Sequence, residues 1–219
     1  MPTNQKTLIA VPALKMVHTD FVTSLLRLNR IGPTNVMFSR SSMTYDGRNE
    51  LAGAAMDGGF DRVLWIDSDM TFAPDFAQIL ADDMESEDLD YVSGLCFMRT
   101  LPTKPVINKR LEYDCHGDDV HIVSELYADY PRDSLFEIDA SGFGGVMTST
   151  RLIRRVCEQF GLPFTPMMGL GEDYSFCWRV KQLGVRMWCD SRAKMGHLAT
   201  LAVTEEQYEC QCRNHQARA

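Results

Sequence analysis

Arg62-Val63-Leu64-Trp65-Ile66-Asp67-Ser68-Asp69 is the stretch on which the reading of this chain turns. Its short apolar run predicts a strand buried on both faces. The run stops abruptly at two carboxylates one residue apart. At the carboxyl end of such a strand both can reach into one space. That arrangement suits a hard divalent cation with positions left open for substrate phosphates. A plainer reading has Asp67 cap a following helix and leaves Asp69 exposed, so the rest of the chain must decide between the two.

Outward from this stretch, strand and helix signals alternate. Thr7-Leu8-Ile9-Ala10-Val11, closed by Pro12, predicts a first buried strand. Residues 18–30 carry Phe21, Val22, Leu25, Leu26 and Leu28 at near-helical spacing and end at Gly32-Pro33. Asn35-Val36-Met37-Phe38 predicts a second strand, and 46–58 a helix capped by Asp46. After Asp69 come a helix with Pro74 near its first turn and a strand over 91–97. Residues 99–140 predict an irregular β-rich region, and Gly142-Phe143-Gly144-Gly145 a flexible loop. A helix at 150–160, another from Glu172 to Leu183, and a last strand over 186–189 complete the pattern. The expectation is an α/β fold, one domain over 1–204 with a central, mostly parallel sheet flanked by helices, then a polar tail over 205–219.

Composition narrows the function classes. The chain has 219 residues, 45% hydrophobic and 24% charged, as in an ordinary globular protein. A net charge of −8 disfavours a protein whose main task is gripping phosphate backbones. Charge is uneven, however: 82–88 is acidic, while Arg99, Lys104, Lys109 and Arg110 form a basic segment. Seven cysteines, irregularly spaced and partly inside apolar runs, suggest free thiols in a reducing compartment. No signal-like segment and no apolar run of membrane-spanning length is present, so a cytoplasmic location is expected.

Two further groups bear on the carboxylate pair. His197, in Lys194-Met195-Gly196-His197, follows the last predicted strand beside a glycine, and an imidazole suits a Mn²⁺-like ion. Gly169-Leu170-Gly171-Glu172-Asp173 sets a loop before two acids at a helix start. There they complement the helix dipole and can also serve as a general base.

In this order these elements resemble the GT-A glycosyltransferases, nearest to the family-2-like branch. The likeness is carried by Val63-Leu64-Trp65-Ile66-Asp67-Ser68-Asp69-Met70, then Gly171-Glu172-Asp173-Tyr174-Ser175-Phe176 with Arg179 and Gly184, then Gly196-His197. Arg48-Asn49 and the Val92–Arg99 strand add to it, over roughly residues 7 to 200. The resemblance implies a nucleoside-diphosphate sugar as donor, with a UDP-sugar favoured, and Mn²⁺ or Mg²⁺ as cofactor. Val11, Pro12 and Ala13 would line the base, and Arg48 would contact the base or diphosphate. Asp67 would meet the ribose or metal, with Ser68 at the donor, and Asp69 and His197 would ligate the metal. Gly144 and Gly145 would leave room for the sugar. Asp173 would be the base of an inverting transfer, with Glu172 orienting donor or acceptor; retention is the alternative outcome.

The acceptor stays open among a glycan, a lipid-linked sugar, a protein, a small molecule and a hydroxymethylated DNA base, the last permitted by the basic segment. Two other readings compete. A nucleotidyltransferase would show a Gly-rich basic loop after the first strand, where this chain has Val11-Pro12-Ala13-Leu14-Lys15. A non-catalytic nucleotide-sugar-binding module would be expected to have lost one of Asp67, Asp69, Glu172 and Asp173.

Overall fold

A computed structural model describes residues 4–117, 119–200 and 205. The strand that opens the sequence argument, β3 (Arg62–Ile66), is buried along its whole length. Before it come β1 (Thr7–Pro12), α1 (Thr19–Arg27), β2 (Thr34–Ser39) and α2 (Thr44–Asp57). After it come β4 (Met70–Phe72), α3 (Phe76–Ser86), β5 (Tyr91–Leu95), β6 (Ile107–His116) and β7 (Asp119–Leu126). Then follow β8 (Leu135–Ile138), β9 (Ala140–Ser141), β10 (Gly145–Ser149), α4 (Thr150–Phe160), α5 (Glu172–Gln182) and β11 (Met187–His197).

The described residues form a mixed α/β architecture with five helices and an eight-stranded sheet, ordered β2-β1-β3-β10-β5-β11-β4 with β8 beside β11. A smaller sheet runs β7-β6-β9. The expectation of a mostly parallel sheet is corrected here. β1 lies parallel to β2 and β3, and β11 to β5. β10, however, enters between β3 and β5 antiparallel to both, and β4 and β8 run antiparallel to β11. The sequence hides this because a two-sided buried strand has the same composition in either direction.

Other expectations change in detail. α2 begins at Thr44 with Met43 as its cap, so Asp46 sits in the first turn rather than at the cap. The 99–140 region is more regular than expected, since β6 and β7 pair as one long antiparallel hairpin. The glycine segment 142–145 is buried rather than a free loop. Of the predicted tail, only Glu205 is described; Cys210 and Cys212 also lie outside the described residues. Cys96, Cys177 and Cys189 are buried free thiols, whereas Cys115 is exposed. No helix among the described residues is long and apolar enough to cross a membrane.

Two apolar clusters hold the sheet from its opposite faces. One gathers Trp65, Phe143, Phe164 and Phe176 under α2, α4 and α5; the other gathers Ile66, Met70, Phe76 and Leu80 under α1 and α3. Phe164 and Phe176 stack at 4.7 Å, and Trp65 meets Phe164 edge-on at 4.9 Å.

β11 has the most consequential shape. It follows β5 in parallel through Asp190↔Gly94, then shifts register so that Lys194 faces Leu95. The extra residues form a bulge, which bends a strand and re-aims its end. Arg192 clamps the bulge, donating to Asp190 and to Asp83 on α3. Burial and the neighbouring Asp190 push the Asp83 carboxyl up to about 7. Burial would raise Asp190 too, but the hydrogen bonds it accepts from Arg192 and Asp83 outweigh this and leave it lowered. Of the pair, Asp83 has the higher proton affinity and Asp190 the lower.

Gly94 is where the bulge passes over β5. A Cβ there would lie 2.8 Å from the Ala193 carbonyl oxygen and 2.5 Å from the Phe76 ring. The carbonyl belongs to backbone and cannot rotate away. Gly94→Ala is expected to cost about 1–3 kcal/mol by overpacking. Urea denaturation checks this, and an unchanged midpoint would count against the tight passage.

Candidate active site

The carboxyl ends of β1, β2 and β3 open on one side of the sheet, as strand direction requires for parallel neighbours. Beyond β3 the chain turns at Ser68-Asp69, with Met70 N donating to Asp67 O at 3.2 Å, and enters β4. The short strand β4 has no counterpart in the sequence reading. It pairs antiparallel with the end of β11, Met70↔His197, Thr71↔Gly196 and Phe72↔Met195. Leu198 N then donates to Asp69 O at 2.8 Å. Backbone pairing thus carries His197 from the far end of the chain to the side of Asp69. Gly196 is glycine for a local reason, because a Cβ there would meet the Thr71 hydroxyl at 2.5 Å.

The side chains follow the backbone. His197 Nε2 lies 3.4 Å from Asp69 Oδ2, and its Nδ1 lies 2.9 Å from the Phe97 carbonyl oxygen. A carbonyl only accepts, so Nδ1 carries the proton in the neutral ring. In that tautomer the Nε2 lone pair faces a carboxylate oxygen, and the two atoms are close enough to ligate one cation. Fixing one ring nitrogen by a backbone carbonyl is also how metal-ligating histidines are oriented. Arg99 Nη1 meets the same Asp69 Oδ2 at 2.9 Å. The donor set of one imidazole and one carboxylate therefore fits a divalent cation whose remaining positions go to phosphate and water oxygens.

Asp67 is placed differently from the expected ligand set. Its Oδ1 accepts from Arg48 Nη2 at 2.8 Å, and burial raises its pKa, with Arg48 partly opposing this. Among the described residues no three His, Cys, Asp or Glu side chains converge as a metal-holding group. Of the predicted trio, Asp67 is engaged by Arg48, while Asp69 and His197 lie side by side.

The Arg48 side chain is 2% exposed, with Nε 3.7 Å from Glu172 Oε1 and the guanidinium carbon 5.2 Å above the Phe143 ring. It bridges the two acidic motifs and itself borders the cleft they line. Among the described residues its Nε and Nη1 find no hydrogen-bond partner.

Glu172 and Asp173 begin α5, whose cap is Gly171. Asp173 accepts from Tyr174 N at 2.8 Å, and a Cβ on Gly142 would lie 3.6 Å from its Oδ2. Burial first, and the Glu172 charge second, push Asp173 up to about 6. Asp67, Asp69, His197, Glu172 and Asp173 all border one cleft of about 270 Å³.

A second cavity of about 330 Å³ shares Pro12, Thr44, Ser68, Asp69 and Arg99 with the first, so the two are continuous. Ala13 lines it, whereas Val11 is fully buried in the core and does not. Ser39, at the end of β2, was absent from the sequence reading. Its hydroxyl is buried in the cavity wall with no hydrogen-bond partner among the described residues, and a Cβ on Gly47 opposite would crowd it. The signal for this wall was the hydroxyl-rich Ser39-Arg40-Ser41-Ser42 at a strand's carboxyl end. Gly144 and Gly145 do not border either cavity. The space beside them is filled by Met70, Met195 and Phe76, so their missing side chains serve packing, not a sugar.

No family model matches the chain, and no curated protein does. Among solved structures the chain is similar to the crystal structure of A197 from STIV, with 16% identity and a TM-score of 0.61. That likeness covers 89% of this chain and 86% of the other. It is also similar to the crystal structure of GalNAc-T7 with UDP, GalNAc and Mn²⁺, with 11% identity and a TM-score of 0.59. There it covers 90% of this chain but spans only 43% of that one. At these identities the likeness is one of fold.

The His197 tautomer can be checked directly. Two-bond ¹H–¹⁵N correlation spectra at alkaline pH should show His197 with its proton on Nδ1. A proton on Nε2 would remove the lone pair from the face toward Asp69 and with it the case for a cation there.

Proposed function

We propose that this chain is a metal-dependent glycosyltransferase of GT-A type, moving a sugar from a nucleoside-diphosphate sugar to an acceptor hydroxyl. The observation that carries the reading is the pairing of Asp69 Oδ2 with His197 Nε2 at 3.4 Å, in a cleft that also holds Asp173 and Glu172. The fold likeness to GalNAc-T7, crystallised with UDP, GalNAc and Mn²⁺, supports it at the level of architecture.

The nucleoside occupies the 330 Å³ cavity against Pro12, Ala13 and Thr44, where the Ser39 hydroxyl gains a partner. Its diphosphate reaches Ser68 and Asp69, shared with the adjoining cleft. Bound to Asp69 and His197, a Mn²⁺ or Mg²⁺ ion supplies Lewis-acid stabilisation of the diphosphate leaving group. Arg48 holds Asp67 and Glu172 in place and balances their charge, so the cleft is not overloaded with anions.

Asp173 receives the proton of the acceptor hydroxyl as its oxygen bonds to the anomeric carbon. The electron pair of the breaking bond leaves with the nucleoside diphosphate. A base whose pKa lies about one unit below neutral pH is ionised there yet still takes a proton readily. If attack comes from the face opposite the leaving group, the anomeric centre inverts.

The DNA-base acceptor has little to recommend it in the charge distribution. Arg99 pairs with Asp69 at 2.9 Å, Lys109 with Glu125 at 3.0 Å and Arg110 with Glu112 at 2.8 Å, so three of the four cations in the basic segment are paired with carboxylates.

Thermal shift with UDP and GDP, with and without Mn²⁺, tests the reading. Stabilisation by a nucleoside diphosphate should require the metal and reach about 2.7 kcal/mol at a hundredfold excess over Kd. Asp69→Ala should abolish it. A preference for triphosphates would point instead to nucleotidyl transfer, and no metal requirement would sink the proposal.

Asp173→Asn should keep metal-dependent binding while UDP release from a UDP-sugar falls about 10²–10⁴-fold. The pH profile carries its own sign. Because the ionised form acts as base, kcat/KM should fall as pH drops through about 6. An acid limb that survives Asp173→Asn unchanged would reassign the base.

A further inference from the structure

Arg99 belongs to a loop that reaches both proposed metal ligands at once. The loop is tied across its neck by a bridge between Phe97 and Pro105 and by Met98 N donating to Lys104 O at 2.9 Å. Inside it, the Thr103 hydroxyl donates to Met98 O at 2.9 Å. Val106 N donates to Cys96 O at 3.0 Å below it. The Phe97 carbonyl orients His197, and two residues on Arg99 donates to Asp69. The loop backbone is thus pinned while the Arg99 side chain is 58% exposed and borders both cavities.

That geometry has a chemical consequence. Asp69 Oδ2 accepts from Arg99 at 2.9 Å and lies 3.4 Å from His197 Nε2. The guanidinium therefore occupies the oxygen that a cation shared with His197 would need. Two positive charges cannot share one oxygen without strong repulsion. An arginine on a pinned loop can leave by side-chain rotation alone. The anion it then meets, within reach of the same mouth, is a diphosphate, for which the guanidinium fork is well matched.

We propose that Arg99 is a counter-ion latch: it holds the place of the divalent cation on Asp69 in the free protein, and passes to the donor's phosphates when the cation enters. The latch rests on the reading that Asp69 and His197 hold that cation. It adds a positioning residue that moves between two partners, and it orders the events. Metal alone has to displace Arg99, whereas metal arriving with a diphosphate gives the arginine somewhere to go. Binding of metal and nucleotide is then mutually reinforcing.

The test compares the full chain with Arg99→Gln, Arg99→Lys and Asp69→Asn. Mn²⁺ affinity is read by the EPR signal of free ion, and UDP affinity by calorimetry at saturating Mn²⁺. Removing the latch should move the two in opposite directions. Arg99→Gln should bind Mn²⁺ alone roughly two- to fivefold more tightly, the range of an exposed ion pair. It should bind UDP with Mn²⁺ more weakly, and Arg99→Lys should recover part of both effects.

Trypsin gives a second readout in the unaltered protein, because Arg99-Thr100 is a cleavable bond while Lys104 is followed by Pro105. Cleavage after Arg99 should be slow in the free protein, faster with Mn²⁺, and slow again with Mn²⁺ and UDP. If Arg99→Gln weakens both ligands together, the arginine merely supports Asp69 and the latch is overturned. Unchanged Mn²⁺ affinity, or cleavage indifferent to Mn²⁺, overturns it as well. Wild-type Mn²⁺ affinity in Asp69→Asn would instead bring down the cation reading itself, whatever Arg99 does.

Discussion

Three backbone pairings, Met70↔His197, Thr71↔Gly196 and Phe72↔Met195, hold the candidate site together. Without them a histidine more than 120 residues along the chain has no reason to face Asp69. Everything upstream in β11 serves to make that pairing possible. The strand leaves β5 at Gly94, bulges over residues that Asp83, Asp190 and Arg192 clamp, and arrives antiparallel to β4. A ladder sets position more sharply than a loop, since each residue is fixed by two hydrogen-bonding neighbours. The imidazole is then oriented by one more backbone group, the Phe97 carbonyl.

Charge is arranged in two tiers around this point. At the cleft floor, Arg48 neutralises Asp67 and leans toward Glu172, with aromatic rings beneath it. At the mouth, Arg99 answers Asp69. The buried cation lies against the Phe143 and Phe164 rings, and the exposed one is ion-paired to Asp69 at the surface. Energetically these are unlike: a buried pair is costly to break, whereas a surface pair contributes roughly 0–1 kcal/mol and exchanges easily. The lower tier therefore suits scaffold and the upper tier exchange, which is the physical basis for giving the two arginines different parts in the proposed reaction.

Legibility in the sequence followed the range of the interactions. β3 was plain because five apolar residues ending in Asp67-Ser68-Asp69 leave few options, and α5 because Gly171 and Gly184 bracket it. β4 escaped notice, since Met70-Thr71-Phe72 has no pattern of its own and is a strand only because β11 arrives beside it. For the same reason β11 was read as ending at Cys189: its second half is specified by a bulge whose anchors lie on α3 and on the segment 131–134. The antiparallel insertion of β10 was invisible because direction leaves no mark on a strand buried on both faces. Among site residues, chemistry and position singled out Asp69, His197, Asp173 and Arg48, which the structure brings to one cleft. Nothing local in the sequence says that Arg48 pairs there with Asp67. Gly144 and Gly145 were read as room for a ligand when the room is taken by Met70 and Met195.

On the proposed reading, the two walls of the cleft divide the chemistry between them. The strand-end wall, with Asp69 and His197, faces the departing diphosphate and is built from backbone pairing, which does not yield as charge develops. The α5 wall carries Asp173, a carboxylate whose burial raises its proton affinity while the N-terminal end of the helix, with its unpaired amides, steadies its ionised form. Burial and the Glu172 charge raise it, the Tyr174 N–H and Arg48 lower it, and the balance settles at about 6, close to where a base must sit to be ionised yet still reactive. A carboxylate in open solvent would be a weaker base. The position of Asp173 at the first turn of a buried helix thus accounts for its basicity by the same local structure that fixes its place.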